Sequence, residues 1–122
     1  MGNISKNFNC LEFLCKCGCG SNHISPKVVA ICQDIRDKLG VPVVINSGYR
    51  CKMHNESVGG SPKSLHLIGW AADLSFPNMK IEHAYELMKD LHGVYYSGGL
   101  GFYDNFIHID IGYMRFWDER KF

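Results

Sequence analysis

Gly98-Gly-Leu-Gly-Phe-Tyr103 and Phe106-Ile-His-Ile-Asp-Ile111, joined through Asp104-Asn105, decide how this chain is read. Asp104-Asn105 is turn chemistry between two runs with strand character, so the stretch predicts an antiparallel hairpin. Side chains alternate across a strand, which puts Ile107, Ile109 and Ile111 on one face and His108 with Asp110 on the other. The isoleucine face belongs to the core. An ionisable pair buried without partners is strongly disfavoured, so the opposite face calls for a metal or a cleft.

Upstream of the hairpin, Ile81, Ala84, Tyr85, Leu87, Met88 and Leu91 recur at helical spacing after Pro77-Asn78, and Gly93 closes that helix. Residues 66–76 read as an irregular entry followed by a strand, in which Ala71 and Asp73 share a face. Ser25-Pro26 supplies an N-cap and a first-turn proline to a helix carrying Val28, Ile31, Cys32, Ile35 and Leu39, ended by Gly40. Val41-Pro-Val-Val-Ile-Asn46 then reads as a strand that delivers Ser47-Gly-Tyr-Arg50 at its carboxyl end. The polar, glycine-containing run from Cys51 to Lys63 predicts a site-bordering loop with one helical turn near Met53 to Val58.

At 122 residues, 46% hydrophobic and 20% charged, the chain is expected to form one domain, residues 1–122, burying roughly two thirds of its unfolded surface. A formal net charge of +1 with no Lys/Arg run argues against nucleic-acid or anionic-membrane partners, which need a clustered positive field. Met1-Gly-Asn-Ile-Ser-Lys-Asn-Phe8 lacks the apolar stretch of an export signal, and no run approaches a membrane span. Synthesis in the cytoplasm is expected. Gly2 is not expected to carry a lipid, because Lys6 stands where that motif wants Ser or Thr. Cys10, Cys15, Cys17, Cys19, Cys32 and Cys51 lack the paired C-x-x-C form. Reduced thiols, a disulfide and a second metal all remain open for the Cys15-Lys-Cys-Gly-Cys19 cluster.

His66, Asp73 and His108 supply two imidazoles and a carboxylate, the ligand set of an open catalytic zinc site. Three protein ligands leave a position for water, whose pKa Zn²⁺ can lower from about 16 to about 7. One catalytic Zn²⁺ and a hydrolytic reaction are therefore expected.

The same residues resemble the zinc D-Ala-D-Ala carboxypeptidases and related peptidoglycan peptidases, which share their fold with lysostaphin-type enzymes and the hedgehog signalling domain. Ser47-Gly-Tyr-Arg50 resembles that family's substrate-binding arginine motif, and Ser64-x-His66-x-x-Gly69-x-Ala71-x-Asp73 matches its S-x-H-x-x-G-x-A-x-D signature. His108 is the third element; Asn55-x-x-x-Gly59-Gly60 and Arg115-Phe-Trp117 resemble one branch that includes bacterial and phage murein peptidases. The likeness runs from about Phe8 to Trp117.

It implies a small α+β domain with an antiparallel sheet flanked by two main helices, zinc on His66, Asp73 and His108, and hydrolysis of peptide bonds in peptidoglycan stems. Both a D-Ala-D-Ala carboxypeptidase and an endopeptidase fit. Arg50 would grip a substrate carboxylate; Ser64 would either assist it or cap the turn before His66. Many members carry an acidic residue three positions before the last zinc histidine, where this chain has Asn105. Asp110, alternating with His108, is then the expected general base; Asp104 is the alternative, and Asp110 could instead orient a zinc histidine. The expected partner is a peptidoglycan peptide, met by a monomer after release to the cell wall, as in phage lysis. The rival expectation is a zinc-stabilised module of the same fold that binds a peptide or protein without cutting it.

Overall fold

A computed structural model describes residues 4–93 and 96–120; the reading at Gly2 lies outside them. Its elements in chain order are a 3₁₀ turn Cys10–Phe13, α1 (Pro26–Leu39), β1 (Val44–Ser47), α2 (Lys52–Ser57), a 3₁₀ turn Leu65–Ile68, β2 (Ala71–Ser75), α3 (Ile81–Leu91), β3 (Gly99–Phe102), β4 (Ile107–Asp110) and β5 (Arg115–Asp118). Ser25 caps α1 by accepting the Lys27 N–H at 3.2 Å, and Gly40 ends it in the left-handed region at φ 66°. β1 starts later than the apolar run suggested: pairing begins at Val44, beyond Pro42, which has no N–H to give.

The hairpin pairs as expected, Ile107 opposite Phe102 and Ile109 opposite Leu100, within a five-stranded sheet ordered β1-β2-β4-β3-β5. The expectation of a purely antiparallel sheet needs correction. After β4 the chain turns and lays β5 parallel to β3, so the sheet is mixed; the two main helices are α1 and α3, and the short α2 is the helical turn expected near Met53. β5 carries Phe116 half exposed at 49%, with none of the continuous apolar character that marks a strand in sequence.

One buried cluster joins Val28, Cys32 and Ile35 of α1, Ala84 and Met88 of α3, and the inward residues of β2, β3 and β4. Phe8 and Phe13, before the first long helix, belong to it. The other face of the sheet carries a single row across the strands: Ser47 opposite Asp73, Asp73 opposite His108, His108 opposite Gly101, and Gly101 opposite Trp117. A register break between Ile45 and Ser47 lets Ile45 enter the core while Ser47 joins that row. Among the described residues no helix is long and apolar enough to cross a membrane.

Candidate metal centre

Register places Asp73 beside His108, and the 3₁₀ turn before β2 brings His66 to them. Ser64 caps that turn by accepting the His66 N–H at 3.2 Å, and Gly69 closes it at φ 74°. A Cβ at Gly69 would sit 1.8 Å from the His23 carbonyl oxygen, so only glycine lets this turn lie against residues 23–24.

The three side chains converge on one point. Oδ1 of Asp73 lies 3.3 Å from Nε2 of His66 and 2.9 Å from Nδ1 of His108, and the candidate ligand atoms all fall within 4.8 Å of one another. The nitrogens on the far side of each ring are already engaged. Nδ1 of His66 donates to the Gly48 carbonyl at 2.7 Å, and Nε2 of His108 donates to Asp110 Oδ2 at 2.8 Å. Those bonds select the tautomers that turn His66 Nε2 and His108 Nδ1, as lone pairs, toward Asp73. Two neutral imidazoles and a carboxylate, each oriented from behind, form a donor set that fits Zn²⁺.

Without a cation, a proton takes the place it would fill. Burial by itself would raise the Asp73 carboxyl, but hydrogen bonds from His108 and His66 then overcome it and hold the group well below the usual carboxylate range. Burial likewise disfavours the His108 imidazolium, yet contact with Asp110 and Asp73 outweighs that and lifts its pKa above the ordinary histidine value, so a metal entering here displaces that proton.

Asp110 is completely buried, and both its oxygens are occupied. Oδ1 accepts from the backbone N–H groups of Gly99 and Gly112 and from Arg115 Nη1, while Oδ2 accepts from His108 and, at 2.6 Å, from Arg115 Nη2. Burial pushes its carboxyl upward and these donors pull it down further, to below the usual range. The geometry gives Asp110 the orienting position behind His108. Asp104 is exposed in the β3–β4 turn, where it lines a depression shared with Asn105 and Glu119.

The three candidate ligands lie in a cavity of about 490 Å³ whose lining includes Arg50, Gly60, Tyr103 and Trp117. Arg50 meets Asp73 Oδ2 at 3.1 Å, donates through Nε to Ser47 at 2.9 Å, and reaches Asn55 Oδ1 at 3.3 Å. The guanidinium thus braces the second oxygen of a candidate ligand.

Several contributors were not singled out from sequence. Asn55 is buried, donates to the Ser61 carbonyl at 2.9 Å and presents its own oxygen to Arg50; a Cβ at Gly60 would lie 2.1 Å from that oxygen. The Asn55-x-x-x-Gly59-Gly60 pattern was its only trace. On β3, a Cβ at Gly99 would strike Asp110 Oδ2 at 2.3 Å, and one at Gly101 would strike the Trp117 ring at 2.3 Å. Those glycines leave room for the Asp110–Arg115 pair and for Trp117, whose ring centroid is 5.3 Å from that of His108.

A model of the Peptidase M15 family matches residues 6–110. No curated protein matches the chain.

Proposed function

This chain belongs to the Peptidase M15 family, whose members are zinc-dependent, and from that premise we propose that it hydrolyses peptide bonds in the stem peptides of peptidoglycan. The observation that carries the proposal is the convergence of His66 Nε2, Asp73 Oδ1 and His108 Nδ1 in a cavity, with the opposite ring nitrogens tied to Gly48 and Asp110. Zn²⁺ held there would polarise the scissile carbonyl and bring the pKa of a water to about 7.

The chain's own residues supply orientation. Gly48 and Asp110 hold the two imidazoles against rotation, so little reorganisation is needed when a ligand enters. Arg50 spends three contacts on Ser47, Asn55 and Asp73, and its guanidinium has further N–H groups to offer a carboxylate entering the same cavity. Stem peptides carry such carboxylates, either terminal or on a side chain. Ser64 serves here as the cap before His66. Tyr103 and Phe106, stacked at 4.5 Å between ring centroids, together with Trp117 form an aromatic wall suited to an extended peptide.

Two carboxylates are candidates for the general base. Asp110 is occupied by donors on both oxygens, which favours it as a positioning residue, and Asp104 becomes the carboxylate to test for proton transfer. One observation favours a second reading, a zinc-held module that binds peptides without cutting them: among the described residues, the acidic side chains lining the cavity, Asp73 and Asp110, are both engaged.

Incubating zinc-loaded protein with defined muropeptides and identifying products by mass spectrometry decides between them. Turnover abolished by a chelator and restored by zinc supports the peptidase, and release of D-alanine against internal cleavage names the bond. Retention of intact peptide would overturn hydrolysis. Asp104→Asn should depress kcat with zinc content unchanged, whereas an unaffected kcat removes Asp104 from the reaction.

A further inference from the structure

Away from the cavity, four sulfurs gather between the buried Cys15 and the exposed Cys17 and Cys19. Cys15, Cys17, Cys19 and Cys51 bring their Sγ atoms within 4.8 Å of one another, the first three from one short segment and the fourth from the start of α2. Cys15 Sγ is 3.5 Å from Cys17 Sγ, which is 3.7 Å from Cys51 Sγ. A disulfide needs sulfurs at about 2.05 Å. Zn–S bonds of about 2.3 Å in a tetrahedron instead put sulfurs roughly 3.8 Å apart, close to the 3.5 and 3.7 Å of these two pairs.

The backbone is arranged for thiolates. The Cys51 N–H points to Cys15 Sγ at 3.4 Å, and the His54 N–H points to Cys51 Sγ at 3.4 Å. Such N–H···S contacts orient and stabilise sulfur ligands. Gly18 and Gly20 adopt φ values of 87° and 81°, conformations open to glycine, and these bends fold the Cys15-Lys-Cys-Gly-Cys19 segment back on itself. Cys10 and Cys32 lie outside the group, and Cys32 is fully buried in the core.

We propose that Cys15, Cys17, Cys19 and Cys51 hold a second Zn²⁺, structural in role. Four protein thiolates complete the coordination and leave no position for water or substrate, which separates this site from the His66–Asp73–His108 centre. Its position gives it a purpose. Among its described residues the segment before α1 has only a 3₁₀ turn of its own, and Cys51 directly follows Arg50, so the ion fastens that segment to the loop carrying the cavity's arginine. Soft sulfur donors in a tetrahedral set select zinc over the hard divalent cations. The proposal shares no ligand with the proposed catalytic site and stands if that site proves inactive.

The test uses the whole chain purified anaerobically. Elemental analysis should give about two zinc equivalents per chain, falling to about one in Cys17→Ser/Cys19→Ser and to about one in His66→Ala. Cobalt substitution tells the two losses apart: sulfur-to-cobalt charge-transfer absorption persists in His66→Ala and disappears in Cys17→Ser/Cys19→Ser. The wild-type chain supplies a check that needs no variant. Cys17 and Cys19 are exposed, yet should resist iodoacetamide until a chelator is added. Immediate alkylation with metal present, a single equivalent with no thiolate–cobalt absorption, iron in place of zinc, or an intact mass showing these cysteines oxidised in pairs would each overturn the proposal.

Discussion

His108 is clasped between two carboxylates, Asp73 at 2.9 Å and Asp110 at 2.8 Å, and the second is fastened in turn by Arg115 at 2.6 Å. Asp110→Asn keeps the shape but sets an amide where both oxygens receive donors, leaving Arg115 and His108 poorly matched. Expected are a loss of about 2–3 kcal/mol in stability and roughly 10–100-fold weaker zinc binding at the His108 centre. Denaturant titration and competition with a chromophoric chelator measure them; unchanged zinc affinity with collapsed turnover would return Asp110 to the role of base. Acid should have a matching effect. Because the folded pKa of Asp110 is depressed from 3.8, its contribution is complete well above that value and is lost as pH falls toward the folded value. The wild-type unfolding midpoint in metal-free protein should therefore drop on the acid side more steeply than that of Asp110→Asn. Period-two alternation made the facing of Asp73 and His108 legible in the sequence, whereas His66, in an irregular entry, was marked by the S-x-H-x-x-G-x-A-x-D resemblance. It could not show that Asp110 would be buried, since that depends on Arg115 reaching back from β5 and on backbone N–H groups of Gly99 and Gly112.

Short elements hold this site, and glycines set how closely they approach. Gly40 and Gly69 make a controlled pair: both have positive φ, 66° and 74°, yet a Cβ at Gly40 meets nothing within 4 Å while one at Gly69 meets the His23 carbonyl at 1.8 Å. Gly40→Ala should cost about 1–2 kcal/mol from the left-handed backbone alone. Gly69→Ala adds a backbone collision of about 1–3 kcal/mol and should also loosen the turn bearing His66, seen as a larger shift in the urea midpoint and weaker zinc binding. Equal costs at both positions would mean that the contact between the turn and residues 23–24 yields freely. α1 and α3 were legible because apolar spacing marked them, with Val28, Cys32 and Ile35 buried in the first and Ala84, Tyr85, Met88 and Leu91 in the second, while Ile31, Leu39, Ile81 and Leu87 are only partly covered. β5 was not, because an edge strand of four residues with alternating exposure carries no apolar run. Its parallel pairing rests on a long-range partner, β3, that local pattern does not encode.

Across the whole molecule, the part least regular in secondary structure helps to set the site. Phe13 is fully buried, its carbonyl accepts the Tyr49 N–H at 3.0 Å, and its backbone lies so close to Gly48 that a Cβ there would approach to 2.8 Å. Gly48 in turn accepts from His66 Nδ1. Core packing therefore reaches the metal centre through a chain of direct contacts: Phe13, the end of β1, the Gly48 carbonyl, His66. Phe8 and Phe13 sit before any apolar periodicity, so their membership of the core could not be inferred from spacing. Phe13→Ala should cost about 3–5 kcal/mol, as expected for a fully buried aromatic. Phe116→Ala, at a residue 49% exposed on the edge strand, should cost less than about 1 kcal/mol. Only the first should also weaken zinc at His66–Asp73–His108, because it releases the segment that positions Gly48. Urea midpoints and zinc competition on both variants test the link, and a Phe13→Ala protein that loses stability while keeping wild-type zinc affinity would break the chain of contacts at Gly48.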